Sequence, residues 1–401
     1  MKKFYLSFAS LAAALAVCAQ QVPVNPVPRV VPSQLKPYKA DPTLGVLPEH
    51  TSMPADDSRY SVKPSHAGQD MSKFNFSEYV IGTTRYDLQT NNCVQYRCQN
   101  YDGLMHASFT MSFQDATYSD RGTGYNYNSG AGWWDWEDNP TERIESARNG
   151  WSNLLRTENG KEIVIVHDGT DALRISNRTF GTSNAWSETE IENPTGKNLL
   201  WPHAAVGGAD GNSIHLVCIT EPIAVNSDSS AVYLDQDGAL LYYRSQDAGA
   251  TWDIQALQIE GTGAEFFKGF SADTYAIHAR GDRVAIAVFN DFSDTFILTS
   301  EDNGDNWEKN IIIDSPVDLY EIDSGIDLNE DGVADTVYNT DGVGAVYIGT
   351  DNVTHVAFGE MAFLDDDLTD AGWSFFPGWN GLCYWRLGYG VGNYAIISGM
   401  Q

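Results

Sequence analysis

The chain has 401 residues and a formal charge of −30, from 54 acidic against 24 basic residues. A surface this negative repels phosphate backbones and anionic lipid, so nucleic acid is excluded as a partner class. Hydrophobic residues make up 42%, enough for a core, and 36 Gly, 20 Tyr and 11 Trp favour strands and tight turns over helices, so the expected class is all-β.

Lys2 and Lys3 precede an apolar run from Phe4 to Val17, and Val17-Cys18-Ala19 offers small residues for cleavage, so residues 1–19 read as a signal peptide. The run is too short for a comfortable membrane span, and nothing later approaches about 18 consecutive apolar residues, so a secreted or cell-surface protein without a membrane span is expected. Leu15-Ala16-Val17-Cys18 is also a poor version of a lipoprotein signal, which makes a lipid on Cys18 the alternative. Eight of the 15 prolines fall between Pro23 and Pro54, where no helix or strand period survives, so residues 20–75 read as an extended leader and 76–401 as the globular part. In an oxidising compartment Cys93 and Cys98 are close enough for a local disulfide, whereas Cys218 lies in an apolar strand pattern and should be buried.

Arg121, Arg143, Glu145 and Arg148 come next, with Trp133, Trp136 and Trp151 around them. Basic residues are scarce here, so this constellation suggests a pocket in which guanidinium forks hold a carboxylate and indole faces hold sugar rings. The competing reading pairs these charges with one another or with neighbouring acids while the tryptophans pack.

From Asn153 onward one plan repeats. Asn153–Gly169 runs an apolar stretch into a Glu158-Asn159-Gly160 turn and out into a β-branched strand, which is a hairpin by its turn chemistry. The shape recurs at His203–Ile219, Tyr275–Phe289 and Val346–Gly359. The turns lie roughly 50 to 70 residues apart, a spacing that suits four-stranded propeller blades. After the second hairpin stand Ser245, Asp247, Gly249, Thr251 and Trp252, and after the third Ser300, Asp302, Gly304, Asn306 and Trp307. A short Asp can accept hydrogen bonds from its own turn, Gly permits positive φ, and Trp leaves as an apolar anchor. A decayed copy is read at Ser176–Trp186, where Asp is missing. His167, His203, His215, His278 and His355 fall in or beside these strands without the spacing of a zinc site, so they read as hydrogen-bonded core residues.

Ser-x-Asp-x-Gly-x-Thr-Trp is the Asp-box pattern, and over residues 90–400 the chain resembles the Asp-box (BNR) sialidase-like β-propellers. That resemblance implies an all-β propeller of four-stranded antiparallel blades; five blade-like units are visible, and a six-bladed ring closed by missing or N-terminal strands is expected. The stretch SDRGTGYNYNSGAGWWDW, followed by NPTERIESARNGW, resembles the first blades of secreted Bacteroidetes propellers, many of which carry a type IX sorting domain. The last residues, NGLCYWRLGYGVGNYAIISGMQ, read as an unfinished blade, from truncation or an atypical closure. Sialidases hold the substrate carboxylate with three arginines, the first in an Arg-Ile-Pro element, and attack with a Tyr assisted by Glu; here the nearest string is Arg143-Ile144-Glu145. The expected function is therefore a non-catalytic module binding an extracellular glycan or protein. The alternative is a divergent glycoside hydrolase, whose two carboxylates the sequence does not select.

Asp327, Asn329, Asp331 and Asp335, with Gly332 at the sharp turn and Val333 offering a carbonyl, have the spacing of a calcium loop, so a structural Ca²⁺ is expected there. The loop resembles those of dockerin and thrombospondin-type repeats and lacks the EF-hand's Glu at position 12, where Tyr338 stands.

Overall fold

The computed structural model describes Tyr38–Lys39 and residues 79–399, except 87, 90–95, 102, 116, 129, 131–138, 169–171, 181–184, 228–230, 291 and 371. The signal peptide, nearly all of the leader, Cys93, Trp133 and Trp136 lie outside the described residues.

A short strand β1 (Tyr38–Lys39) precedes five antiparallel sheets. Sheet I holds β2 (Cys98–Tyr101), β3 (Leu104–Met111) and β4 (Gly122–Tyr127). Sheet II holds β5 (Gly150–Arg156), β6 (Lys161–His167), β7 (Leu173–Thr179) and β8 (Ser187–Ile191). Sheet III holds β9 (Leu199–Gly207), β10 (Ser213–Thr220), β11 (Leu240–Ser245) and β12 (Ile254–Leu257). Sheet IV holds β13 (Tyr275–Arg280), β14 (Arg283–Val288), β15 (Thr295–Ser300) and β16 (Glu308–Ile313). Sheet V holds β17 (Val337–Ile348), β18 (Thr354–Leu364), β19 (Ser374–Arg386) and β20 (Ala395–Gly399). The single described helix, α1, is the one turn Ile223–Asn226, and no described helix is long and apolar enough to cross a membrane.

Each sheet is a meander in chain order. The first strands β5, β9, β13 and β17 pack side by side, and with the β2 segment they line a channel of about 630 Å³. This is an all-β propeller with four-stranded antiparallel blades, the expected class. Five sheets are described, and the sixth blade expected from the sequence is not among the described residues. The hairpins read in the sequence are the inner pairs of sheets II to V, and the first turns at Gly160 with φ +84°. Central strands such as β10 and β11 are buried along their whole length because they are covered on both faces, which is why the sequence there runs apolar without alternation. Successive sheets share apolar cores: Leu154 and Val164 between I and II, Ile175 and Leu216 between II and III, Phe296 and Ile286 between III and IV, Phe289 and Phe358 between IV and V.

Two ends of the channel differ in architecture. The hairpin rim carries the turns between the first and second and between the third and fourth strands of a sheet, including both Ser-x-Asp-x-Gly turns; the crossover rim carries the connections between second and third strands and the passages from one sheet to the next. At the hairpin rim the two turns use the same bonds. Ser245 Oγ donates to Asp247 Oδ1 (2.9 Å), Gly249 N donates to Ser245 Oγ (2.9 Å), and Thr251 N and Oγ1 donate to the two Asp247 oxygens (both 2.7 Å). In the second turn Ser300, Asp302 and Gly304 repeat this at 2.8 and 2.9 Å, and Asn306 Nδ2 donates to Asp302 Oδ2 at 2.7 Å in place of the threonine hydroxyl. Trp252 and Trp307 are both half-buried, each packed against the preceding sheet's core. Trp186, in the decayed copy, meets Tyr125 of sheet I edge-on at 5.3 Å, as Trp307 meets Tyr242 of sheet III at 5.0 Å.

One expectation falls on residues outside those described and one is corrected. The expected bridge from Cys98 falls on Cys93, which lies outside the described residues; Cys98 itself lines the channel. The last residues do not leave sheet V unfinished, because β20 pairs with β19 through Leu382 and Ser398. From the extended leader, Tyr38 and Lys39 pair with Phe375 and Ser374 on the other end of the same β19 edge. Cys218 is fully buried in the core between sheets II and III, as expected.

Candidate functional site

The crossover rim of sheets I to III is irregular, and the irregularity begins in sheet I. Among the described residues no fourth strand follows β4; residues 143–149 run beside it, with Ile144 N donating to Thr123 O (3.0 Å) and Asn149 N to Arg121 O (3.2 Å). This segment carries most of the charged residues picked out in the sequence, and the structure separates them into two groups.

Arg143 and Glu145 point into the protein. Arg143 donates from Nε to Glu145 O (2.9 Å), from Nη2 to Ser146 O (2.8 Å) and from Nη1 to Arg121 O (3.4 Å), so its guanidinium is a brace for the backbone. Glu145 is buried and accepts from Thr123 N (3.0 Å); burial pushes its carboxyl above the usual range, against the hydrogen bonds that lower it. No ion pair joins Glu145 to either neighbouring arginine among the described residues, so the competing reading, in which Arg143, Glu145 and Arg148 pair with one another, is not what forms; nor do Arg143 and Glu145 turn toward a ligand with Arg121 and Arg148.

Arg121 and Arg148 form the second group. Arg121 Nε donates to Asn149 O (2.8 Å) and its guanidinium lies 5.5 Å from the Tyr86 ring centre; Arg148 Nε donates to Tyr118 O (3.1 Å). Neither has a carboxylate partner among the described residues. Burial, and then the charge of Arg148, lowers the pKa of Arg121. His167, at the end of β6, is held at about 3 by burial first and then by the charges of Arg121 and Arg148, against the opposing effect of Asp168. The acids nearest this corner are already engaged. Asp168 pairs with Arg174 Nε (2.6 Å), and Glu188 pairs with Arg174 Nη1 (3.2 Å) and accepts from Ser146 N and Oγ (both 2.8 Å).

Beside the pair stand aromatic residues. Trp151 and Trp201 sit in register shifts at the starts of β5 and β9, with left-handed φ of +62° and +52°, a conformation that costs a bulky side chain energy. Asn153 holds both bulges, donating to Trp151 O (3.0 Å) and Pro202 O (2.6 Å) while Ala204 N donates to its Oδ1 (3.2 Å). The indoles are 6.2 Å apart and half-buried. Trp151 stacks on His167 at 6.2 Å, and Trp201 N donates to His167 Nδ1 (2.9 Å). Deeper, His203 is fully buried among Tyr96, Trp151 and Tyr275, its pKa lowered to about 3 by burial. Tyr96 closes this level by donating to Ile277 O (2.9 Å) and accepting from Ile277 N (2.8 Å).

Sequence reasoning therefore found Arg121, Arg148 and Trp151 but missed Trp201, His167 and Tyr86. An Asn-Gly-Trp at the head of β5 and a Leu-Trp-Pro at the head of β9 were the available signals, each placing a bulky ring where an inner strand enters.

The loop 327–335 joins sheets IV and V and is wound on its own carboxylates. Asp327 accepts from Asp331 N (3.1 Å) and Gly332 N (2.8 Å), Asn329 Oδ1 from Asp331 N (2.9 Å), Asp331 Oδ1 from Val333 N (2.9 Å), and Asp335 Oδ2 from Leu328 N (2.8 Å). Among the described residues no three His, Cys, Asp or Glu side chains are gathered as a metal ion requires.

No protein family matches the chain, and no curated protein matches it. Solved structures that resemble it include a polysaccharide lyase, ulvan lyase, at 10% identity and TM-score 0.43, covering 79% of this chain and 73% of that one. Another is the GH43_1 enzyme from Xanthomonas citri complexed with xylotriose, at 9% identity and TM-score 0.38, covering 78% and 92%. A mutant of the NanB sialidase from Streptococcus pneumoniae matches at 12% identity and TM-score 0.35, covering 66% of this chain and 35% of that one.

Proposed function

We propose that the chain is an exported Asp-box, sialidase-like propeller of the kind secreted by Bacteroidetes, and that it holds a carboxylate-bearing glycan at the crossover rim without cleaving it. The observation that carries this reading is the Arg121–Arg148 pair, two cations without a carboxylate partner among the described residues of a protein with a charge of −30. An anionic group between them would relieve their mutual repulsion, and the Trp151 and Trp201 rings supply apolar surface for a sugar. The lack of turnover follows from the nearby acids: Asp168 and Glu188 are tied to Arg174, and Glu145 is buried under Thr123. Hydrolysis needs two carboxyls free to act on either side of a glycosidic bond.

The test is to expose the purified chain to sialylated and uronate-containing oligosaccharides and to measure both binding and released sugar. Binding lost in Arg148→Ala and Arg121→Ala, with no sugar released, is the expected result. Release of free sugar by the unaltered protein would replace this reading with a divergent glycoside hydrolase.

We also propose Ca²⁺ on the loop 327–335, held by Asp327, Asn329, Asp331, Asp335 and the Val333 carbonyl. Its support is the winding of the loop about its own acids and Gly332 at φ +82°, which puts the oxygens on one short segment. A chelator should lower the melting temperature and Asp331→Ala should remove that sensitivity, because an ion bound only to the folded state stabilises it by mass action. An unchanged melting curve would remove the site.

A further inference from the structure

Sheets II, III and IV are covered on both faces; among the described residues, sheet V has a packed neighbouring sheet on one face only. In β18 and β19, burial alternates. Val356, Phe358, Cys383 and Trp385 are buried against sheet IV, while His355, Ala357, Leu382 (47% exposed), Tyr384 and Arg386 lie on the opposite face. A sheet face built to meet water alternates to polar side chains. Between His355 and Arg386 at one end and Asp341 at the other, this one carries Ala345, Ala357, Gly359, Leu382 and Tyr384.

The same face in other sheets shows what it is for. A histidine on the second strand and a tyrosine on the third are hydrogen-bonded in sheets I, III and V: His106 with Tyr125 (2.7 Å), His215 with Tyr242 (2.7 Å) and His355 with Tyr384 (2.6 Å). In sheets I and III the following sheet covers the pair, laying Trp186 on Tyr125 and Trp307 on Tyr242. On sheet V no ring from another described sheet meets Tyr384, whose ring contacts are His355 and Tyr389 of its own sheet.

Charge decides what fits. Arg386 stands at the hairpin end of the face, opposite His355 in register, with Tyr389 under its guanidinium (5.0 Å) and no ion pair among the described residues. At the crossover end Asp341 lies over Gly359, accepts from Val343 N (3.0 Å) and has no cation beside it. Midway between these poles the small residues Ala345 and Ala357 are cross-strand partners. The remaining acid at the Arg386 end, Asp351, is exposed on the β17–β18 turn and accepts from Val353 N (3.1 Å). A two-fold axis through Ala357 therefore brings Arg386 of each copy to the partner's Asp341 and lays the Leu382 and Tyr384 surfaces together.

We propose that this face of sheet V is a self-complementary docking surface for a second copy of the chain, packed sheet on sheet about the Ala345–Ala357 pair. It continues the series of sheet-to-sheet interfaces that runs from I to V. The net charge of −30 opposes association, so the apolar centre supplies the attraction and the reciprocal ion pairs set the register.

Sedimentation velocity on the full chain at about 0.15 M salt, where long-range repulsion is screened, tests this. The unaltered protein should dimerise in the micromolar range. Leu382→Glu and Arg386→Asp, both at exposed positions, should give monomers with unchanged melting temperature, and the exchange Asp341→Lys with Arg386→Asp should restore the dimer. Should the exchange variant fail to fold, the two single variants still decide. A protein that stays monomeric at about 100 µM, or a dimer indifferent to both single changes, overturns the proposal.

Discussion

The two rims of the channel are built from the same strands and behave as opposites. At the hairpin rim, one arrangement of Ser, Asp and Gly is used twice with nearly the same hydrogen-bond lengths, and the cation there is paired: Arg244 joins Asp253 of its own blade and Asp305 of the next at 2.7 Å each. Burial alone would lower the pKa of Arg244, but its bonds to these two acids outweigh that and raise it. What repeats at the crossover rim is strain. Two tryptophans occupy left-handed bulges, two arginines lack carboxylates among the described residues, and His167 is held neutral beside them. Repeated turns whose aspartates are held by their own backbone mark a structural fastening, whereas strain and arginines without carboxylate partners at one corner mark the place where something else is meant to bind.

That contrast can be broken most directly at Trp307. Trp307→Ala removes the indole that joins sheets III and IV and should cost about 3 kcal/mol, at the low end for a large truncation because the ring is half-buried. A loss below 1 kcal/mol in chemical denaturation would mean that the hairpin rim is not the fastening.

Acid should act next. His167, His203 and His215 are held at about 3 in the fold, far below their ordinary value near 6.5, with burial the first cause in each. The unfolded chain therefore takes up protons first, so stability is full above pH 6.5 and falls as the pH drops toward 3. Each histidine contributes at most about 2 kcal/mol between pH 6.5 and 5. His203→Gln should flatten the dependence of melting temperature on pH over that range by one proton's worth, and an unaltered slope would mean that His203 is not held neutral.

Within the hairpin rim, Asn306→Ala removes the side-chain bond to Asp302 but keeps the backbone one, and should cost about 0.5 to 1 kcal/mol, with Asn306→Thr near neutral. The smallest effect is expected at the crossover rim. Arg148 is exposed and bonded only to Tyr118 O, so Arg148→Ala should shift stability by no more than about 0.5 kcal/mol while removing anionic glycan binding. A large loss of stability there would return the pair to a structural role.

Strands, hairpins and the paired turns were readable in the residues because each rests on neighbours in sequence: Gly160 at its turn, alternation or apolar runs in the strands, and Ser, Asp and Gly within five positions of one another. The propeller followed from the spacing of those units. The partners of the arginines were not readable, since the charge of Arg143 is spent on backbone carbonyls that its own segment presents only after lying down beside β4. His167 is distant in sequence from Arg121 and comes under its charge only because sheets I and II meet at one rim, and Trp201 of sheet III joins them through His167 and Trp151. Alternation in β18 was visible in the residues, but whether the open face meets water or another sheet depends on what lies across it. Local turn chemistry and strand period belong to the sequence because their energies are local; charge balance, strain and the covering of faces were decided by the tertiary structure because they depend on groups brought together from different blades.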